Sequence, residues 1–344
     1  MAEYAALTPI NIVTGFLGSG KTTLLQRLLR LPCLSDTAVL VNEFGEVGLD
    51  HHLLQEVAES TLLLENGCVC CAVRGDLQKA LKGLISRRMR GEVPPFRRVV
   101  IETSGLADPT PIAYTLLSDA ILRNHLRLSG IVTTIDGLNG ADQLGAFPEA
   151  VKQVAVADRL ILTKSDLADE KAIGALRGKL RALNPSAEIL SSNETGENAE
   201  RLLTDDIYDR EGKSRELDRW LGSASEAGAP EHHEHAAGIH SFTLTFDRPL
   251  DWAAFGVWAT MLLHRHGADV LRLKGLLHVA GLPTPVLING VQHLVHPPSH
   301  LESWPDADRR SRLIFIVRGI EQARIERSLA TFNGLVNRPA AQSV

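Results

Sequence analysis

A glycine-rich segment near the start of the chain has the residue types and the spacing of a phosphate-binding loop. It runs Gly15-Phe-Leu-Gly-Ser-Gly-Lys21-Thr22 and matches the pattern G-x-x-x-x-G-K-[ST]. An apolar strand is predicted before it at Ile10–Val13 and an amphipathic helix after it at Thr22–Leu31. In that context its backbone N–H groups and the helix dipole suit an anion. The Lys21 ammonium can reach β- and γ-phosphates, and the Thr22 hydroxyl can bind Mg²⁺.

A second phosphate-side motif follows the predicted strand Arg98–Ile101. It contains Glu102 and Gly105 in the run Val-Val-Ile-Glu-Thr-Ser-Gly, with Glu where Ras-like GTPases have Asp. We assign Glu102 to the Mg²⁺ shell or to orienting the attacking water, and the Gly105 N–H to the γ-phosphate. With Lys21 these are the predicted catalytic residues. The alternative for Glu102 is an acid that only caps a turn at the end of a strand.

A guanine-recognition motif follows another apolar strand, predicted at Arg159–Leu162. Thr163-Lys164-Ser-Asp166 resembles Asn-Lys-x-Asp with Thr in the first place. A carboxylate at Asp166 accepts from guanine N1–H and N2–H₂, whereas adenine would leave a buried Asp unpaired. The Lys164 stem can lie flat along the base. The sequence therefore favours GTP over ATP.

Residues 42–50 combine pliable glycines with acidic side chains. The segment Asn-Glu-Phe-Gly-Glu-Val-Gly-Leu-Asp follows the second predicted strand, where phosphate and Mg²⁺ would lie. Carboxylates are hard oxygen ligands, so we interpret the segment as a switch loop. Asp50 and Glu46 are its candidate Mg²⁺-side contacts, and Glu46 is also a candidate ligand of a transition metal beside the thiols described next. The alternative is an acidic loop without such a role.

Three of the four cysteines form one cluster, Cys68-Val-Cys70-Cys71. Thiolates suit Zn²⁺, Cu(I) or a related ion, and three of them leave one position of a tetrahedral site for another ligand. A closed structural site usually has two separated pairs of cysteines. The incomplete set favours a metal that is loaded and passed on, with a structural metal and redox or inert thiols as alternatives.

Composition limits the class of protein. The chain has 344 residues, 44% hydrophobic and 22% charged, with a net charge of −5 and a pI of about 6.2. These values are typical of a globular protein with room for two domains, and they offer no basic surface for nucleic acid. The N-terminal residues do not resemble a secretory signal, and no apolar run approaches the roughly 20 residues of a membrane helix. We expect a cytoplasmic protein that binds neither nucleic acid nor membrane.

Alternating strand and helix patterns predict an α/β domain with a mostly parallel sheet over residues 8–193. Its remaining predicted strands are Ala38–Val41, Leu62–Leu64, Gly130–Ile135 and Glu188–Leu190. Its remaining predicted helices are Leu77–Arg90, Pro111–Leu117 and Glu170–Leu183. If the strand before the cysteines is parallel to the first, the cysteines lie on the nucleotide side of the sheet.

Residues 194–240 are rich in Gly, Ser, Ala and acids, which predicts a flexible linker. Its histidines His232, His233, His235 and His240 could gather a metal weakly or simply be solvated. A smaller α+β domain with an antiparallel sheet is predicted over residues 241–338. Its predicted strands are Ser241–Phe246, Val270–Val279, Pro285–Val295 and Arg312–Ile316, and its predicted helices are Trp252–His264 and Ile325–Leu335. Five further histidines there, His264, His266, His293, His296 and His300, are weaker metal candidates.

The phosphate loop, Asn42-Glu-Phe-Gly-Glu46, Cys-x-Cys-Cys, Glu-x-x-Gly and Thr-Lys-x-Asp occur in this order. Over about residues 10–320 the chain thereby closely resembles the CobW-like P-loop GTPases, relatives of the nickel-handling GTPases of hydrogenase and urease maturation. The resemblance implies a P-loop NTPase domain followed by a CobW-type C-terminal domain. It also implies phosphate binding by Gly15, Gly18, Ser19, Gly20, Lys21, Thr22 and Thr23, guanine binding by Thr163, Lys164 and Asp166, and metal binding by Cys68, Cys70 and Cys71.

The function implied is a GTP-hydrolysing metallochaperone that uses GTP, GDP and Mg²⁺. It would carry Zn²⁺, or Co²⁺, to a metal-requiring client protein, and nucleotide-dependent self-association is a further expectation. Intrinsic turnover should be slow because no water-orienting Gln or arginine finger is identifiable near Gly105. The alternatives are an ATP-using kinase or transferase with a structural zinc, and a metal buffer whose GTP site is not coupled to the metal.

Overall fold

The computed structural model describes residues 6–41, 62–65, 74–193, 197–204 and 238–336, with no side-chain detail at 62–65, 74–75, 197–200 and 335–336. The chain divides into two compact units. The first comprises Met1–Arg181 with Ala187–Glu216, and the second Ala182–Ser186 with Leu217–Val344. Each unit contains its own sheet.

A seven-stranded sheet forms the centre of the first unit, and every neighbouring pair of its strands is parallel. Its strands are β1 (Thr8–Gly15), β2 (Thr37–Val41), β3 (Leu62–Glu65), β4 (Arg98–Glu102), β5 (Leu126–Asp136), β6 (Arg159–Thr163) and β7 (Glu188–Ser191). They lie in the order β3-β2-β4-β1-β5-β6-β7. The strand that leads into the phosphate loop is therefore central, and all seven strands end at one edge of the sheet.

Helices connect these strands and cover the sheet. They are α1 (Lys21–Leu29), α2 (Arg74–Met89), α3 (Thr110–Ser118), α4 (Leu122–His125), α5 (Gly140–Ala146), α6 (Pro148–Val156), α7 (Glu170–Leu183) and α8 (Glu197–Thr204). The apolar stripe of α1 packs on the sheet because Leu25 and Leu28 share a fully buried cluster with Val13 and Val100. That packing fixes the helix whose N-terminus closes the phosphate loop.

Helix α8 lies inside the segment that composition predicts to be a linker. Leu202 and Leu203 belong to the same buried cluster as α1, and the Asn11 amide in β1 donates to the Leu203 carbonyl at 2.9 Å. Two buried leucines are enough to hold one short helix against a core, although the surrounding composition is polar. Residues 194–196 and 205–237 of the predicted linker lie outside the described residues, and its last two residues, Ile239 and His240, already belong to a strand.

The second unit has an antiparallel sheet with two long helices. Its strands are β8 (Ile239–Phe246), β9 (Val270–Leu277), β10 (Val286–Val291), β11 (Leu294–Val295), β12 (Ser299–His300) and β13 (Ser311–Arg318). The main order is β11-β10-β9-β13-β8, with β12 paired to β10. The helices are α9 (Trp252–His266) and α10 (Gln322–Val336), and the side chain of Asp251 caps α9 by accepting from the Ala254 N–H at 2.8 Å.

One predicted strand of this unit is wrong. Pro285–Val295 was predicted as a single strand, but β10 and β11 form a hairpin in which Val291 pairs with Leu294. Gln292 has a φ of 51°, a left-handed conformation typical of a two-residue hairpin turn. The turn was not predicted because the residues on both sides of it continue the same apolar pattern.

The predicted fold class, an α/β P-loop domain with a parallel sheet and a smaller α+β domain, is confirmed. Within the described part of the chain, no helix has the length and apolar character needed to cross a membrane.

Candidate functional site: a nucleotide-binding edge

The phosphate loop joins the central strand β1 to helix α1. Gly15 has a φ of 141°, and a Cβ there would overlap the Thr134 carbonyl oxygen, so only glycine fits. The Ser19 N–H donates to the Phe16 carbonyl at 3.1 Å, and the buried Ser19 hydroxyl lies 2.7 Å from the Thr134 hydroxyl. The loop is thus stabilised by a backbone hydrogen bond within it and is joined to β5 by the contact between the two hydroxyls. These are the features that a cradle for an anion requires.

Lys21 is the first residue of α1, and its side chain folds back over the loop. The Lys21 ammonium donates to the carbonyl oxygens of Gly15 at 2.9 Å and Phe16 at 3.2 Å. Its charge therefore sits above the loop beside the N-terminus of a helix, where both favour a phosphate.

A hydroxyl and a carboxylate meet next to the loop. The Thr22 hydroxyl donates to Glu102 Oε1 at 2.6 Å, and the Glu102 side chain, at the end of β4, is only 1% exposed. The neighbouring strand brings them together, because Glu102 pairs with Val13 in the sheet register. Both groups are hard oxygen ligands, so the two residues fit the predicted Mg²⁺ role.

The loop after Glu102 lies against the phosphate loop. Its Thr103 N–H donates to the Val13 carbonyl at 2.9 Å. A Cβ on Gly105 would lie 2.7 Å from the backbone nitrogen of Leu17, so the two backbones approach closely. The predicted catalytic residues Lys21, Glu102 and Gly105 therefore border one small region.

The predicted guanine motif is fastened to the same loop. The Thr163 hydroxyl donates to the Ser19 carbonyl at 2.8 Å, and the Lys164 ammonium donates to the Gly18 carbonyl at 2.8 Å. Asp166 is exposed two residues further on, in a short 3₁₀ turn. The Lys164 stem crosses over the phosphate loop, and the Asp166 carboxylate remains available to a ligand.

Sequence reasoning missed Asp136, the last residue of β5. Its carboxylate accepts from Lys164 at 2.7 Å and from the N–H groups of Leu138 and Asn139 at 2.9 and 3.1 Å. Burial raises the pKa of Asp136, but the hydrogen bonds from Lys164 and these N–H groups outweigh it and hold the pKa below its ordinary value. The available signal was an acid at the end of an apolar strand.

Comparison with known proteins identifies the family. Residues 9–191, more than half of the chain, match the family described as CobW/HypB/UreG, nucleotide-binding domain. The chain belongs to the CobW/HypB/UreG family. Residues 239–333 also match the cobalamin synthesis protein cobW C-terminal domain, as the resemblance to CobW-like proteins implied.

Three relatives of this CobW/HypB/UreG family chain illustrate the likeness. It is 32% identical over 329 residues to the zinc chaperone YjiA of Escherichia coli (strain K12), covering 95% of this chain and 98% of that protein. It is 31% identical over 303 residues to zinc-regulated GTPase metalloprotein activator 1 of Schizosaccharomyces pombe, covering 78% and 72%. The crystal structure of Zn(II)-bound YjiA GTPase from E. coli matches with a TM-score of 0.66 and 27% identity, covering 95% and 99%.

In this CobW/HypB/UreG chain the predicted metal ligands Cys68, Cys70, Cys71 and Glu46, and the predicted Mg²⁺ contact Asp50, lie outside the described residues. The strands that lead to them are described. In the sheet register Glu65 pairs with Val41, Val41 with Glu102, and Glu102 with Val13. Strands β3, β2, β4 and β1 therefore reach the same level of the sheet edge side by side. The condition for placing the cysteine segment on the nucleotide side, a parallel β3, is met.

The histidines contribute little to a metal site in the described part of the chain. His232, His233 and His235 lie outside it. His240 belongs to β8, and one of its ring nitrogens lies 3.1 Å from the Ile320 carbonyl. No group of three or more His, Cys, Asp or Glu side chains suited to a metal occurs among the described residues, so the second unit's histidines receive no support as a cluster.

Proposed function

We propose that the protein is a GTP-hydrolysing metallochaperone that binds a transition metal through Cys68, Cys70 and Cys71 and delivers it to a client protein. Zn²⁺ is the preferred cargo because the relatives include proteins named zinc chaperones, and Co²⁺ is the alternative. The observation that carries the proposal is the register row Glu65–Val41–Glu102–Val13. It supports a common edge for the phosphate loop, the acidic segment and the thiol segment.

The geometry supports a division of labour around the nucleotide. Lys21 and the loop N–H groups hold the phosphates, while Thr22 and Glu102 hold Mg²⁺, which neutralises charge that develops on the phosphates. Thr163, Lys164 and Asp166 recognise guanine. Asp50 completes the Mg²⁺ side in this proposal.

The row of strand ends gives the coupling a physical route. The acidic segment 42–50 begins at β2, between Glu102 on one side and the strand that precedes the cysteines on the other. β3 lies three strands from β1, about 14 Å at roughly 4.8 Å per strand, too far for direct contact through one side chain. Ordering of segment 42–50 around Mg-GTP could bring Glu46 to the thiolates, and hydrolysis would then release the metal.

The decisive experiment is an anaerobic titration of the protein with Zn²⁺ and Co²⁺ in the presence of Mg-GDP or a non-hydrolysable Mg-GTP analogue. A coupling of about 1–3 kcal/mol predicts roughly 5- to 150-fold tighter metal binding in the GTP state and, by linkage, the same gain in GTP affinity with metal bound. Cys70→Ser should lose the metal and the coupling, whereas Cys33→Ser, at an exposed cysteine that lies outside the cluster and before it in the sequence, is the matched control. Equal metal affinity in both nucleotide states would establish the uncoupled metal buffer instead.

Self-association is a separate part of the proposal. Four leucines, each more than half exposed, follow the ends of four adjacent strands at the nucleotide edge: Leu17, Leu106, Leu138 and Leu167. Exposed apolar side chains gathered at one edge favour a partner surface. A mass that rises with the Mg-GTP analogue and not with Mg-GDP, measured by light scattering, would support association; one mass in both states would exclude it.

A further inference from the structure

Helix α6 contacts three parts of the nucleotide edge, although none of its residues belongs to a nucleotide motif. At its start the Phe147 ring lies 4.6 Å from the Phe16 ring of the phosphate loop, measured between centroids. In its last turns, the Thr133 hydroxyl of β5 donates to the Gln153 carbonyl at 3.0 Å. Its side chains at positions 152 and 153 reach the loop after Glu102.

Gln153 uses both donors of its side-chain amide on that loop. Its Nε2 donates to the Gly105 carbonyl at 3.1 Å and to the Ala107 carbonyl at 3.0 Å. The side chain is 1% exposed, and its Oε1 has no hydrogen-bond partner among the described residues. A buried acceptor without a partner costs about 1–3 kcal/mol. The buried Oε1 makes an amide unfavourable at this position. The presence of the amide is therefore explained by the two hydrogen bonds that its Nε2 donates to the loop.

Lys152 holds the far end of the same loop. Its ammonium lies 2.6 Å from Asp108 Oδ2, while Asp108 Oδ1 accepts from the N–H and the hydroxyl of Thr110 at 3.0 and 2.7 Å. Asp108 thereby joins α6 to the start of α3. Two consecutive residues of α6 thus fix the loop at three points: Gly105, Ala107 and Asp108.

Gly105 is held from both sides, by Gln153 on its carbonyl and by the Leu17 backbone against its Cα. This matters because glycine has little conformational preference of its own, so the direction of its N–H must be set by its surroundings. We propose that Lys152 and Gln153 form a latch that positions the Gly105 N–H for GTP hydrolysis. The proposal rests on the proposed function, and it makes both residues positioning residues rather than catalytic ones.

Gln153→Leu removes the two donors and keeps a side chain of similar size. We expect turnover of Mg-GTP to fall about tenfold or more, since misplacement by about 1 Å can cost up to 100-fold, while GDP affinity stays within about twofold. Lys152→Met breaks only the Asp108 contact at a partly exposed site and should lower turnover less, by about threefold. Gln143→Leu, on α5 and without a side-chain hydrogen bond to this loop, is the matched control and should leave both quantities unchanged.

Hydrogen exchange of the nucleotide-free protein supplies a readout independent of activity. Amides of residues 103–108 should exchange faster in Gln153→Leu than in the wild type, and those of β1 should not. Unchanged turnover in both latch variants overturns the proposal, as does a parallel loss of turnover, GDP affinity and melting temperature, because that pattern marks general destabilisation. If the wild-type protein binds no GTP, the proposed function fails; if it hydrolyses GTP and the variants match it, only the latch fails.

Discussion

Asp136→Asn isolates the contribution of the carboxylate that the sequence motifs do not include. Asparagine has nearly the same shape, and its Oδ1 can still accept from the N–H groups of Leu138 and Asn139. Its amide NH₂, however, would face the Lys164 ammonium, donor against donor, where the carboxylate accepts at 2.7 Å. The substitution therefore removes the charge-assisted hydrogen bond from Lys164 and the longer one from the Asn139 side-chain amide at 3.3 Å, and it leaves the local backbone supported.

The magnitude follows from the burial of the two partners. A hydrogen bond to a charged group contributes about 1.5–3 kcal/mol. The Lys164 side chain is 38% exposed and keeps its bond to the Gly18 carbonyl, so the lower half of that range applies. We expect the loss of about 1.5–2 kcal/mol to appear in nucleotide binding, because Lys164 is displaced from its position beside the nucleotide. It corresponds to GDP and GTP affinities that are about 10- to 30-fold weaker.

Titration calorimetry with GDP and with a GTP analogue, well below the melting temperature, measures this effect. Asp142→Asn is the control, because Asp142 is exposed in the first turn of α5 and carries the same charge change. An Asp136→Asn affinity within twofold of the wild type would refute the view that Asp136 positions the guanine motif through Lys164.

Four further predictions concern other residues and pH. Lys21→Ala should abolish tight GTP binding in calorimetry without unfolding the protein, because its charge lies over the loop and outside the core. Asp166→Asn should weaken GTP but not ATP, and equal losses for both nucleotides would favour the ATP-using alternative. Because the folded-state pKa of Asp136 is depressed, its stabilising contribution is present above the unfolded value of about 3.9 and is lost as pH falls through the folded pKa. The difference in melting temperature between the wild type and Asp136→Asn should therefore be largest at about pH 6 and should shrink as pH falls below about 4. Trp258→Ala should destabilise the second unit by about 3–5 kcal/mol in urea unfolding, since the ring is buried and its N–H donates to the Ser328 hydroxyl at 3.1 Å.

The sequence was sufficient for the strands and motifs that depend on local pattern. The phosphate loop, Glu102 and the Thr163 motif each follow a continuous apolar run. Runs of this kind identify buried parallel strands without knowledge of the fold. The antiparallel sheet of the second unit was predictable because several predicted strands follow one another there with few helices between them. The hairpin turn at Gln292 could not be predicted, because glutamine is not one of the residue types that favour a left-handed conformation.

The contacts made across the fold could not be predicted. Asp136 meets Lys164 because β5 extends to Asp136 and pairs it with Thr163, a register that no local pattern specifies. Gln153 reaches Gly105 from 48 positions away, through a helix that was absent from the prediction. Helix α8 was missed because two buried leucines, rather than composition, decide its position.

The position of β3 has a consequence for the energy of local opening. This four-residue strand lies at the edge of the sheet and, within the described chain, pairs with β2 alone, whereas β1 has a neighbour on each side. Fewer backbone hydrogen bonds must break to release an edge strand than a central one, so its opening free energy is lower. The strand leading to Cys68 can therefore open locally while the strands that carry the phosphate loop stay paired.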